Sequence, residues 1–224
     1  MLKIDSLIKV WWSLISKDDD FKRLVLTLED IAKEKNIVLT TWSKDISDII
    51  RDRLNEILDI KLSIENHIDI TWKSRDIVSK SFCDLNDRFI PIYELSEIQW
   101  VLKRWEIPVI IQYEILKKLQ PFPLVRWLST DTTSAFFANK IWTSRFIKLT
   151  NVDWVYSNLE DKKTLISELQ IAELEKMWKT CICTALAWYL EKINSICYVM
   201  NGNNTENLKD FFDNWKWIYT KITP

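Results

Sequence analysis

Residues 157–202, SNLEDKKTLISELQIAELEKMWKTCICTALAWYLEKINSICYVMNG, contain no proline, and their last residue, Gly202, is the single glycine of the chain. Ser157 and Glu160 stand at capping-box spacing, a pair whose side chains satisfy each other's free backbone amides at a helix start. A glycine just past the last apolar residue supplies the left-handed turn that ends many helices. Between these signals the sequence permits one continuous helix over about 158–200, about 60 Å long at helical rise. Ile171, Leu174, Trp178, Cys181, Ala185 and Trp188 form one apolar stripe on it. Ile182, Leu186, Tyr189, Ile193, Ile196 and Met200 form a second. Where the stripes overlap, from Cys181 to Leu190, Thr184 is the only polar residue, and a helix apolar all round must be enclosed. That uncharged run is far shorter than the ~20 residues of a membrane span. The stretch therefore predicts a mainly all-α protein: an irregular multi-helix bundle around a long central helix, with Trp178, Cys181, Ala185 and Trp188 buried.

The chain of 224 residues fits one helical domain, with any division into two lobes falling near residue 90. Its 31 basic and 32 acidic residues leave a net charge of −1, so no global field selects nucleic acid or membrane. Cys83, Cys181, Cys183 and Cys197 sit in apolar settings, which predicts reduced thiols and a cytoplasmic protein. Lys3, Asp5 and Lys9 break up the N-terminal apolar residues, so no secretory signal is expected there. Apolar positions 4, 7, 8, 11, 14 and 15 predict a helix packed on the core instead.

Thirty isoleucines against six alanines and one glycine look like the product of an AT-rich genome. Tryptophan should be scarce under that bias, yet there are 13. Either an extra codon is read as tryptophan, or these side chains are under functional demand.

Along the chain, helices are expected at about 21–35, from Ser43 through Leu58, from Ser74 towards Phe89, at about 93–106, from Pro108 to Gln120, as one short and one longer helix between Leu124 and Phe146, the longer begun at Asp131 or Thr133, and from Thr205 onward. Residues 36–41 read as a strand or an extended linker. Between 60 and 72, Ile60, Leu62 and Ile64, then Ile68, Ile70 and Trp72, alternate with polar residues, which favours a small β-hairpin. The spacing by four of Ile60, Ile64, Ile68 and Trp72 would also suit a helix.

The catalytic inventory is thin. One histidine, His67, leaves little for metal sites or histidine-based nucleophiles. One glycine excludes a Walker loop and a dinucleotide fingerprint. No catalytic residue, cofactor or metal is expected, and no segment resembles a known family. The reading is a non-enzymatic adaptor or assembly subunit, docking a protein partner or another copy of itself through tryptophan-rich helical faces. Trp11, Trp12, Trp215 and Trp217 are its candidate contacts. The alternative is a nucleic-acid-binding subunit. Between 100 and 150, eight basic residues face only Glu106, Glu114 and Asp131. Arg126, Trp127, Lys140, Trp142, Arg145 and Lys148 interleave base and aromatic as single-strand binders do.

Overall fold

The computed structural model describes residues 1–11, 14, 18–42, 44–58, 62–122, 129–143, 145–152, 155–156, 165–174, 182–214 and 219–224. Strand β1 (Ser6–Val10) is followed by helix α1 (Asp18–Ile31), strand β2 (Ile37–Thr41), helices α2 (Lys44–Leu58) and α3 (Ile64–Cys83), and strand β3 (Phe89–Ile92). Then come α4 (Ile98–Lys103), β4 (Ile107–Ile110), α5 (Gln112–Leu119), α6 (Thr130–Lys140) and β5 (Arg145–Thr150). The remainder is β6 (Val155–Tyr156), β7 (Leu165–Ile166), β8 (Glu168–Gln170), α7 (Ile171–Leu174), α8 (Thr184–Ile193), β9 (Ile196–Asn201), α9 (Thr205–Asn214) and β10 (Thr220–Thr223).

Eight strands form one sheet in the order β3-β4-β2-β1-β5-β9-β10-β8, and β6 pairs with β7 apart from it. From β3 to β9 every neighbour is parallel. β10 runs antiparallel to β9 and parallel to β8. Helices α1 and α9 cover one face, where Leu24, Leu28 and Phe211 pack on Ile8, Leu39, Ile147 and Met200. The other face carries α4, α5, α6 and α8, where Leu102, Leu116, Phe137 and Leu186 pack with Leu7, Val38, Phe146 and Val199.

The expected all-α bundle is therefore corrected to a mixed α/β sheet clothed by helices on both faces. The predicted central helix dissolves into β7, β8, α7, α8 and β9, with residues 157–164 and 175–181 outside those described. Cys197 to Met200 are buried, Cys197 and Val199 under one helical layer, Tyr198 and Met200 under the other. A strand covered on both faces reads as a continuous apolar run, and periodicity alone does not separate that from a buried helix. The same reason turns the predicted N-terminal helix into β1. Gly202 ends no helix. Its amide donates to the Thr150 carbonyl at 2.8 Å, and a Cβ there would press on the Leu14 side chain and stand 3.3 Å from Leu149 Cβ, so a larger residue would require Leu14 to move.

The favoured hairpin near 60–72 is also corrected. Ser63 caps α3, its Oγ accepting the Asn66 amide at 3.1 Å, and the spacing by four is the true one. Pro91 lies inside β3, and Pro108 lies inside β4 rather than at the start of a helix. Of the predicted core stripe, Ala185 is buried, Trp188 is 49% exposed, and Trp178 and Cys181 lie outside the described residues. Cys83 and Cys183 are free thiols. None of the described helices is long and apolar enough to cross a membrane.

Candidate active site

From β1 the chain winds outward to β2 on one side, while β5 lies against β1 on the other. In open α/β sheets a crevice opens at such a switch point, outside the carboxyl ends of the strands. Lys9 is the next-to-last residue of β1, and its Cα partner across the switch point is Lys148 of β5. Alternation places both lysines on the face of Leu7 and Phe146, under α6.

Each lysine is 1% exposed, and both close on one carboxylate, Asp131. Lys9 Nζ donates to Asp131 Oδ1 and, at 2.8 Å, to Thr130 Oγ1. Lys148 Nζ donates to Asp131 Oδ2 at 2.6 Å. Asp131 stands in the first turn of α6, where the helix dipole favours a negative group. That turn is fixed by Ser129, whose Oγ accepts the Thr132 amide at 3.1 Å. Arg75 enters the same layer from α3, buried, with Nη1 donating to Thr133 Oγ1 at 3.2 Å and Nε lacking a hydrogen-bond partner.

Three cations thus face Asp131, and Asp76 beside Arg75 still leaves positive charge in excess. Burial pulls Lys9 down to about 8; Asp131 opposes the shift, while Lys148 and Arg75 add to it. Burial likewise lowers Arg75 to about 9. For Asp131 burial acts upward, but attraction to Lys148 and Lys9 overrides it and brings the carboxyl to about 2. Uncompensated buried cations are costly unless a ligand anion completes the set.

The supporting frame is polar and closed. Thr41 Oγ1 and Ser79 Oγ lie 2.8 Å apart, tying β2 to α3. Gln112 Nε2 donates to Thr40 Oγ1 at 2.7 Å and to the Thr41 carbonyl at 3.1 Å. Asp76 Oδ1 accepts the amides of Gln112 and Tyr113 at 2.8 and 3.1 Å, which fixes the start of α5. Two indoles sit over the cations. Trp11 follows β1 and lies 4.8 Å from Lys148 Nζ, while Trp42 follows β2 and lies 4.8 Å from Lys9 Nζ. Their ring centroids are 4.2 Å apart, edge to face.

Among the described residues no cluster of three or more His, Cys, Asp or Glu side chains is placed to hold a metal ion. The chemistry within reach of these residues is the binding and charge neutralisation of an anion with several oxygens, as in phosphoryl transfer.

The architecture matches solved structures over nearly the whole chain. The uridylate kinase of Archaeoglobus fulgidus superposes with a TM-score of 0.75 at 17% identity, covering 98% of this chain and all of that one. This is the fold of the UMP kinases. The Bacillus anthracis UMP kinase gives 0.74 at 13% identity, covering 98% of this chain and 95% of that one. The Ureaplasma parvum enzyme gives 0.70 at 12%, covering 99% and 100%. In sequence, the [5-(aminomethyl)furan-3-yl]methyl phosphate kinase of Methanocaldococcus jannaschii is 22% identical over 206 residues, covering 91% of this chain and 92% of that protein. No protein-family description matches the chain. These likenesses overturn the expectation of a non-enzymatic adaptor and its nucleic-acid-binding alternative, because that relative and those three solved structures are kinases.

The sequence-derived candidates scatter. Lys148 is buried on Asp131 rather than displayed to a strand of nucleic acid. Lys140 is exposed, Arg145 is half-buried and Trp142 is 89% exposed. Trp11 lies at the lysine site. Trp12, Arg126, Trp127, Trp215 and Trp217 lie outside the described residues. Sequence reasoning missed Lys9, Asp131 and Arg75. A signal was present: Leu7-Ile8-Lys9-Val10 and Phe146-Ile147-Lys148-Leu149 each set one lysine in an apolar run. A lysine in a strand buried on both faces requires a partner.

Proposed function

We propose that the protein is a kinase that transfers the terminal phosphoryl group of a nucleoside triphosphate to the phosphate of a small phosphate monoester. The observation that carries this reading is the pairing of Lys9 with Lys148 across the switch point, both held by Asp131. The named activities of the relatives support it, since uridylate and the furanylmethyl phosphate are both phosphate monoesters. An acceptor phosphate oxygen attacks the terminal phosphorus and forms the new P–O bond. The bond from that phosphorus to its bridging oxygen breaks, and the nucleoside diphosphate leaves with the electron pair. Lys9 and Lys148 offset the charge on the transferring group's oxygens, as fixed cations do in such transfers. Asp131 holds both ammonium groups in place and keeps their mutual repulsion tolerable. Such an enzyme belongs in the cytoplasm, where nucleoside triphosphate and phosphate monoesters are available.

The test is turnover. Protein isolated from its source, given a magnesium nucleoside triphosphate and a panel of phosphate monoesters, should release nucleoside diphosphate only when an acceptor is present. Absence of acceptor-dependent release across nucleotide and sugar monophosphates and aromatic methyl phosphates overturns the reading.

A further inference from the structure

Helices α4 and α6 end in the same way. After α4, the amides of Trp105 and Glu106 donate to the carbonyls of Leu102 and Val101 at 3.1 and 3.4 Å. After α6, the amides of Trp142 and Thr143 donate to Asn139 and Ala138 at 3.2 and 3.1 Å. Both are Schellman motifs, whose central residue adopts the left-handed conformation and is usually glycine, sometimes asparagine. Here that residue is tryptophan twice, at φ 60° for Trp105 and 57° for Trp142. The two indoles are 70% and 89% exposed, so burial does not account for them. Asn194 holds the corresponding left-handed site after α8, at φ 48°.

Composition points the same way. Glycine averages about 7% of residues, which would give roughly 16 in a chain of this length. This chain has one glycine and 13 tryptophans. The 13 tryptophans come close in number to the roughly 15 glycines that are missing.

We infer that positions 105 and 142, and with them 11 and 42, are glycine in the protein its own cell makes, the triplet translated here as tryptophan being decoded there as glycine. UGA is the candidate triplet. It is one base from UGG, which encodes tryptophan, and one base from GGA, which encodes glycine. Positions 11 and 42 are included because each directly follows a strand at the carboxyl edge, where the two indoles fill the space over Lys9 and Lys148. Glycine at both positions removes those indoles and uncovers the two ammonium groups. This consequence for the site rests on the phosphoryl-transfer reading; the decoding itself does not.

Peptide masses of the protein purified from its source decide the matter. Residues 11, 42, 105 and 142 should each weigh as glycine, and the corresponding codons should be UGA. Tryptophan masses at these positions, or UGG codons, overturn the inference. In recombinant protein, Trp105→Gly and Trp142→Gly should each raise Tm by about 2–4 °C through relief of left-handed strain. A fall in Tm for both counts against the inference. Trp11→Gly with Trp42→Gly should raise protection by tripolyphosphate at least tenfold in apparent affinity. Glycine masses without any anion binding would leave the decoding standing and sink the phosphoryl-transfer reading instead.

Discussion

The Cα atoms of Lys9 and Lys148 are direct partners across neighbouring parallel strands, and both ammonium groups bond to the same carboxylate, Asp131. Two like charges side by side in a buried layer are tolerable only while that carboxylate is ionised.

Asp131→Asn should therefore be strongly destabilising. It keeps the shape of the side chain and removes its charge, leaving two buried cations without their counter-ion. Breaking a buried pair in this way costs about 3–5 kcal/mol. Thermal or urea denaturation measures it, and a loss under 1 kcal/mol would contradict the ionised, shared carboxylate.

Lys148→Met should separate stability from function. It removes the one cation by which the buried layer exceeds its carboxylates, so Tm should hold or rise. Loss of one charge-stabilising donor should lower kcat by about 10²–10³-fold. Nucleoside diphosphate release, read beside the melting curve, checks both halves. A parallel fall in Tm and kcat would assign Lys148 a structural role.

Lys9 should set the alkaline limb of the pH profile. Its proton is lost at about 8 in the folded protein, against an ordinary value of 10.5. Activity that needs the ammonium form should fall as pH rises through about 8, and kcat/KM reports this value for the free enzyme. Stability moves oppositely. Between about 8 and 10.5 the unfolded chain binds more protons than the folded one, so this group's contribution to stability rises with pH there. A kcat/KM profile flat to pH 10 would exclude Lys9 as the charged group required.

Asp76 gives an acid-side signature. Burial raises it to about 6 from 3.8, although the Tyr113 and Gln112 amides pull the other way. The folded protein then binds the extra proton between about 3.8 and 6, so this group's contribution to stability falls as pH rises through that window. Asp131 slopes the other way: with its proton lost at about 2 in the fold, its contribution fades as pH drops from about 3.8 towards 2. Asp76→Asn should flatten the 4–6 region of a Tm-against-pH curve, and an unchanged slope there would remove Asp76 as its source.

The helices that show one polar and one apolar face were legible in the sequence. α1 and α2 lie where their apolar stripes put them, and α9 starts where expected, although Asn204 rather than Thr205 supplies the cap, its Oδ1 accepting the Asn207 amide at 3.1 Å. The central strands were not legible, because burial on both faces erases the alternation that marks a half-exposed strand. α6 lies where a helix begun at Asp131 or Thr133 is expected, although it has no amphipathic pattern. Thr130 to Ala138 are buried whatever their polarity, so the helix shows no apolar face. Lys148 was singled out for its charge, but the property that mattered was its setting among Ile147, Leu149 and the partner strand. Lys9, in the same setting, reads in the sequence only as a break in the N-terminal apolar run. Asp131 reads in the sequence as an acid opposing a basic stretch, and in the fold it opposes two ammonium groups at once, one on each carboxylate oxygen.

The paired lysines also police assembly. Side chains in a strand alternate between faces, so a slip of one residue between β1 and β5 would turn Lys148 towards the layer of Leu28 and Phe211. An ammonium group there would meet apolar side chains, and Asp131 would face Lys9 alone. Only one alignment of the two strands lets both cations reach both carboxylate oxygens. The groups assigned to phosphoryl transfer therefore act as a key cut for a single register, and a chain that pairs these strands wrongly is denied a stable native state before any substrate arrives.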